Sequence, residues 1–200
     1  MATSAAIAAA GKSIERLLDG CYPDGFLVAG ARPRATLVRT EDFTGAEGGA
    51  DATPPATGVT IFVYRVDFNK AMRAAWSGVG LADGRAHLPL DVHFLITPFA
   101  SNAEHELKIL GRAMECLEAT PVLTGPLLDP SAGWAPGEAV QVVLEEVGTE
   151  AIMRTFDSLP IDYKLSVAYI ARVVRIDGER AFPAPPTRTV GAGVKPEANR

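Results

Sequence analysis

Cysteine is nearly absent from this chain. Two occur among 200 residues, too few for a disulfide framework, so Cys21 and Cys116 read as small thiols and point to a reducing compartment. Histidine is scarce as well, with three, and no cysteine stands close to one as a metal site needs. Positive charge is not in excess: 19 Lys and Arg face 24 Asp and Glu, for a net charge of −5 and a pI near 5.2. That balance excludes electrostatic capture of nucleic acid or anionic lipid as a main role. Long apolar runs are missing. The best, Leu165 to Ala171, is bracketed by Lys164 and Arg172 and falls far short of the ~20 residues a spanning helix needs. The apolar opening places its first charge, Lys12, after the run, the reverse of a secretory signal. The expectation is a soluble, unexported protein with no membrane insertion.

What is present fits one domain. At 48% hydrophobic and 22% charged, the composition is that of an average globular chain, and this length buries a sizeable core without staples. A first helix is expected from Ser4 to Asp19, before Gly20, and short strands around 25–30 and 35–40. Residues 41–57 carry four acids, no base and the pair Pro54-Pro55, which predicts a long mobile loop. Val59 to Asn69 reads as a strand with Phe62, Tyr64, Val66 and Phe68 on one face. Its other face runs Val59, Ile61 and Val63, then turns polar at Arg65, Asp67 and Asn69.

Leu88 to Thr97 is the clearest strand, alternating Leu88, Leu90, Val92, Phe94 and Ile96 with Asp91, His93 and Leu95. Ser101 to Glu104 matches a capping box. The helix it opens has an expected inner stripe of Ala103, Leu107, Leu110, Met114 and Leu117, stopped by Pro121. A strand over 139–145, a short helix with Ile152, Met153, Phe156 and Leu159 inward, and a last strand over 162–176 follow. Residues 1–177 thus read as one α/β (α+β) domain, a mixed β-sheet with helices packed against it. Residues 178–200 read as a Pro/Gly-rich tail, flexible or partner-bound.

Catalytic motifs fail on inspection. Gly11-Lys12-Ser13 ends like a phosphate loop, but the position five residues before Gly11 is Ala6 and the string lies in a helical pattern. His105-Glu106-Leu107-Lys108-Ile109 lacks the second histidine of a zinc helix. Gly78 to Asp83 lacks the third glycine of a dinucleotide fingerprint. Ser77 has Ala75 and Val79 where a nucleophile elbow needs glycines. One constellation remains: Asp91 and His93 on the outward face of the clearest strand, with His87 on the same parity. It admits a carboxylate-oriented histidine or half a metal site, against plain hydrogen bonding along a sheet face. No residue is assigned as catalytic, as a metal ligand or as a cofactor contact.

Four segments in order resemble one family. They are Val63-Tyr64-Arg65-Val66-Asp67 with Asn69 and Arg73; Leu88 to Thr97; Ile109-Leu110-Gly111-Arg112-Ala113-Met114 with Pro121-Val122-Leu123; and Tyr163-Lys164-Leu165-Ser166-Val167-Ala168-Tyr169. Together they are similar to the sheath-and-tube terminator, or cap, proteins of phage-tail-like contractile injection systems of the antifeeding-prophage kind, over about residues 1 to 180. Longer members add a second domain after this point, and what that domain does is not carried over to this chain. The resemblance implies a tail-terminator-like fold and a structural, non-enzymatic role. It implies a homo-hexameric ring that closes the inner tube distal to the baseplate and anchors the last sheath ring. Its implied partners are itself, tube and sheath proteins, with no nucleic acid and no cofactor. Assembly would be cytoplasmic, within a particle that is released or retained.

Contractile sheaths link subunits by strands added to a neighbour's sheet, so a terminator must offer or accept a sheet edge. The expected interface is the polar strand end with Arg65, Asp67, Asn69 and Arg73, joined by Asp91 and His93; residues 41–57 and the tail are further candidates. The alternative is a small metal- or ligand-binding or enzymatic domain using Asp91 and His93.

Overall fold

The computed structural model describes residues 2–44, 54–76 and 85–181. Most of the acidic loop, the glycines at 78, 80 and 84, and the tail from residue 182 lie outside the described residues. A six-stranded sheet forms the centre, in the order β1-β2-β3-β6-β5-β4. These strands are β1 Arg34–Val38, β2 Gly58–Phe68, β3 Arg85–Phe99, β4 Val122–Thr124, β5 Ala139–Leu144 and β6 Val167–Ala181. β1 runs parallel to β2 and the other pairings are antiparallel, so the sheet is mixed, as expected. The helices are α1 Ala6–Gly20, α2 Lys70–Trp76, α3 Ala103–Ala119 and α4 Thr149–Phe156. No helix among the described residues is long and apolar enough to cross a membrane.

α1 and α3 cover one face of the sheet. Ala6, Ala9, Ala10, Ile14 and Leu18 of α1 join Ile109, Leu110, Ala113 and Leu117 of α3 in one core. Beneath them lie Val59, Ile61, Leu90, Val92, Phe94 and Ile96. The alanines let α1 approach closely, and Phe94 stacks on Tyr169 of β6 at 5.8 Å between centroids. The opposite face is only partly covered, by Phe43 over Phe62 and by Phe156 of α4 over Leu95 and Ala168.

Several local expectations change. The 25–30 segment holds only the isolated Val28–Ala31 bridge, and β6 starts at Val167 and continues past Gly178 to Ala181. The α3 N-cap is Asn102, not Ser101; its side chain accepts from the His105 N–H at 2.9 Å. The α3 stripe is rotated from the expected one. Ile109, Ala113 and Cys116 face inward, and Leu107 is 56% exposed. Both stripes obey a 3.6 period, and sheet packing selects the one that places the small Ala113 against the strands. On α4, Phe156 is buried but Met153 faces outward.

Cys21 and Cys116 are not free thiols. The end of α1 and the last turn of α3 bring their Cα atoms to 6.1 Å, and a disulfide joins them across a sequence separation of 95.

β1 meets β2 at a tight point. Gly58 opens β2 at φ +154°, and a Cβ there would fall on the Arg34 carbonyl oxygen. A Gly58→Ala change is therefore expected to cost about 2–3 kcal/mol, from backbone strain and overpacking together. Urea denaturation should show a lower midpoint at an unchanged m-value. An unchanged midpoint would mean that β1 does not lie this close.

Candidate functional site

A sheet edge is a docking template unless it is covered, and here the two sides of β1–β2 differ. The outward N–H groups of β1 are taken by carboxylates of α1: Leu37 donates to Glu15 Oε1 at 2.8 Å and Ala35 to Asp19 Oδ1 at 3.3 Å. β1 ends at Val38 opposite Phe62, while β2 continues to Phe68. Among the described residues, no strand pairs with β2 on that side beyond Phe62. A groove of about 680 Å³ begins where β1 stops, between Ile7 and Gly11 of α1, Val38, Val63 and Tyr64.

A β-bulge reshapes this open stretch. The register against β3 shifts between Val63 and Arg65, which inserts an extra residue and reverses the alternation beyond it. Arg65 and Asp67 therefore stand opposite His93 and Asp91, on the face that carries Phe62 and Tyr64. Val66 and Phe68 stand opposite Val92 and Leu90, on the face of α1 but exposed at 41% and 51%. The sequence pattern had placed these two groups the other way round.

The bulge gathers four ionisable side chains and a phenol. Glu145, just beyond β5, accepts from Tyr64 Oη at 3.0 Å and from Arg65 Nη2 at 3.1 Å, and its Oε2 lies 2.8 Å from His93 Nδ1. It reaches over β6, where its own N–H donates to the carbonyl of the small Ala168. Arg65 Nε meets Asp67 Oδ2 at 3.0 Å, and the same oxygen lies 3.4 Å from His93 Nε2. His93 and Glu145 are largely buried, whereas Arg65 and Asp67 are half exposed. Burial first, then the charge and hydrogen bond of Glu145, push the Tyr64 hydroxyl up to about 12.

Of the six sequence candidates, Arg65, Asp67 and His93 thus converge. Asn69 and Asp91 form a second pair at 3.0 Å, and Asn69 Oδ1 also accepts the Met72 N–H and so starts α2. Arg73 lies apart, its guanidinium 5.7 Å over the Phe68 ring. Asp91 does not orient His93: directly opposed to Asp67 in the ladder, it turns to Asn69 and leaves the histidine to Glu145. His87 pairs instead with Asp177 of β6. Among the described residues, no group of three or more His, Cys, Asp or Glu side chains is placed to hold a metal ion. Sequence reasoning missed Tyr64 and Glu145 as members. The only signal for Glu145 is an acid closing an apolar alternation, which says nothing of the strand it will meet.

Comparison with known proteins adds the frame. Residues 12–189 match the family described as the Pvc16 N-terminal domain. The fold is similar to that of the PVC sheath/tube terminator of an extracellular contractile injection system in the extended state. The TM-score is 0.59 at 18% identity, covering 97% of this chain and 65% of that one. It is also similar to the anti-feeding prophage cap, a tube-terminating cap, with a TM-score of 0.53 at 13% identity, covering 92% of this chain and 59% of that one. This chain therefore spans under two thirds of either structure. No curated protein sequence matches it.

Proposed function

The chain belongs to the Pvc16 N-terminal domain family, and on that premise we propose that it is the terminator of a contractile injection particle. Its role is structural and not enzymatic: a homo-hexameric ring closes the inner tube and anchors the last sheath ring. The observation that carries this reading is a fold shared over 97% of the chain with a sheath/tube terminator.

The open stretch of β2 supports it. A terminator must accept or offer an edge to its neighbours, and residues 63–68 are the part of this edge that α1 leaves uncovered. Arg65, Asp67, Asn69, Arg73, Asp91 and His93 border that stretch, with Val66 and Phe68 on its other face. Ring closure in turn demands contacts that are heterologous and return on themselves. Assembly takes place in the cytoplasm, on tails made of tube and sheath proteins, and the segment that follows β6, residues 182–200, is a second candidate contact arm.

The surface pair Phe68 and Arg73 tests the location. Phe68→Ser with Arg73→Glu is expected to weaken binding to isolated tails at least about tenfold, since aromatic and arginine contacts dominate interfaces. Thermal stability should stay close to wild type, because both side chains are exposed. Unchanged tail binding would move the interface elsewhere.

A further inference from the structure

We propose that the groove around Trp134 receives the segment Phe182-Pro183-Ala184-Pro185-Pro186 of a second copy of this chain. Trp134 is half-buried between two cavities, of about 400 and 360 Å³. Leu128 and Pro130 line the first, Met72 and Val173 the second, and Glu138 borders both.

The indole is held in place before any ligand arrives. Its Nε1–H donates to the Asp129 carbonyl at 2.7 Å, and the Glu138 N–H donates to the Ala135 carbonyl at 3.1 Å. Gly133 and Gly137, at φ +65° and +83°, turn the chain on either side of it. With its one donor engaged, the ring offers only its faces. That favours an apolar occupant with few donors of its own to leave unpaired. Proline meets both demands, since its ring is apolar and it carries no N–H. Proline-rich segments dock on aromatic-lined grooves in this way, as an extended helix whose shape is set in advance. Pro183 and Pro186 stand at the spacing of that mode.

The chain's own segment is directed away from the groove. Arg175, on the rim, stands opposite Pro89 of β3, and Ala181 opposite Arg85, farther along. Four residues of β3 separate those rows, about 13 Å, whereas the two residues from Ala181 to Pro183 span at most about 7 Å. Phe182, Ala184 and Pro185 each precede a proline, which disfavours the helical backbone a reversal needs. The donor is therefore another copy. Charge favours the same contact. Residues 182–200 carry Arg188, Lys195 and Arg200 against Glu197, a net of +2 in a chain of −5, so residues 1–181 carry −7. Asp129 and Glu138 flank Trp134, and Arg188 follows Pro186 by two residues.

Groove and segment are different surfaces, so a copy that gives its segment keeps its own groove for the next, the kind of contact that builds a ring. Closure at six rests on the terminator reading; the contact itself does not. Nitrogen-15-labelled full chain, kept dilute, is titrated with an unlabelled peptide of residues 182–190. NMR follows the indole N–H signals of the two tryptophans, with Trp134 identified by W134F. The peptide is expected to move the Trp134 signal saturably. A peptide with Pro183→Ala, Pro185→Ala and Pro186→Ala together should bind at least about tenfold more weakly, a loss that cannot arise from unfolding because the protein is unaltered. Raising the protein concentration without peptide should move the signal toward the same position. The proposal is overturned by a Trp134 signal that ignores the peptide, or by an alanine peptide that binds as well. It is also overturned by a signal already at the bound position at the highest dilution, which would put the chain's own segment in the groove. No tail enters this experiment, so a protein that binds the peptide but never reaches tail ends would remove the terminator reading and leave this contact standing.

Discussion

Opening the Cys21–Cys116 bond, by reductant or as the C21S/C116S pair, is expected to lower the unfolding free energy by about 4 kcal/mol. The bond closes a loop across a sequence separation of 95, and for loops near that length the chain-entropy account gives roughly 4–5 kcal/mol at 25 °C. In a domain of this size that corresponds to a melting temperature lower by about 8–16 °C. The loss should be uniform, because the bond ties α1 to α3 and both helices cover the same sheet face. Calorimetry with and without reductant reads it directly. Equal melting temperatures, with two free thiols titrated in the reduced sample, would show that the helices hold each other without the bond.

Removing the Glu145 carboxylate is the next largest change expected. Glu145→Ala strips the acceptor from Tyr64, His93 and Arg65 together, and a partly buried network that loses its central charge should cost about 3–5 kcal/mol. A readout beyond stability separates this from plain cavity formation. Glu145 helps hold the Tyr64 hydroxyl up at about 12, so the variant's phenol should ionise at lower pH by ultraviolet absorbance. The sign for folding follows. A phenol raised above its unfolded value near 10 adds stability below that pH, and the contribution fades as pH rises through 12. Glu145→Ala therefore flattens the alkaline limb of the stability curve. An unchanged phenol titration would mean that burial alone sets it.

Much of the fold is legible in the sequence, for reasons that are local. The alternation from Leu88 to Thr97 identifies β3 because successive side chains of a strand point to opposite faces, although from Val92 to Pro98 both faces are buried. Pro121 marks the end of α3, and the run of short strands and helices gives the mixed sheet. What is not legible depends on partners that local pattern cannot name. The bulge after Val63 carries no glycine or other signature, yet it reverses every side chain beyond it and decides that Arg65 meets His93. Glu145 reaches the site only because β6, last in sequence, inserts between β3 and β5. The disulfide escapes for the same reason: proximity of Cys21 and Cys116 is a property of the packed helices. Leu107 and Ile109 offer two equivalent helical stripes, and only the sheet beneath chooses. The family resemblance drew on the order of the segments, which survives such local reversals.

The most direct measurement places the protein on tails. Gold-labelled protein is mixed with sheathed tails assembled without a terminator and viewed by electron microscopy. Label is expected at the end distal to the baseplate alone, as a six-membered ring, with tails of uniform length once the protein is present during assembly. Label scattered along the sheath, or tails left bare, would contradict the terminator account.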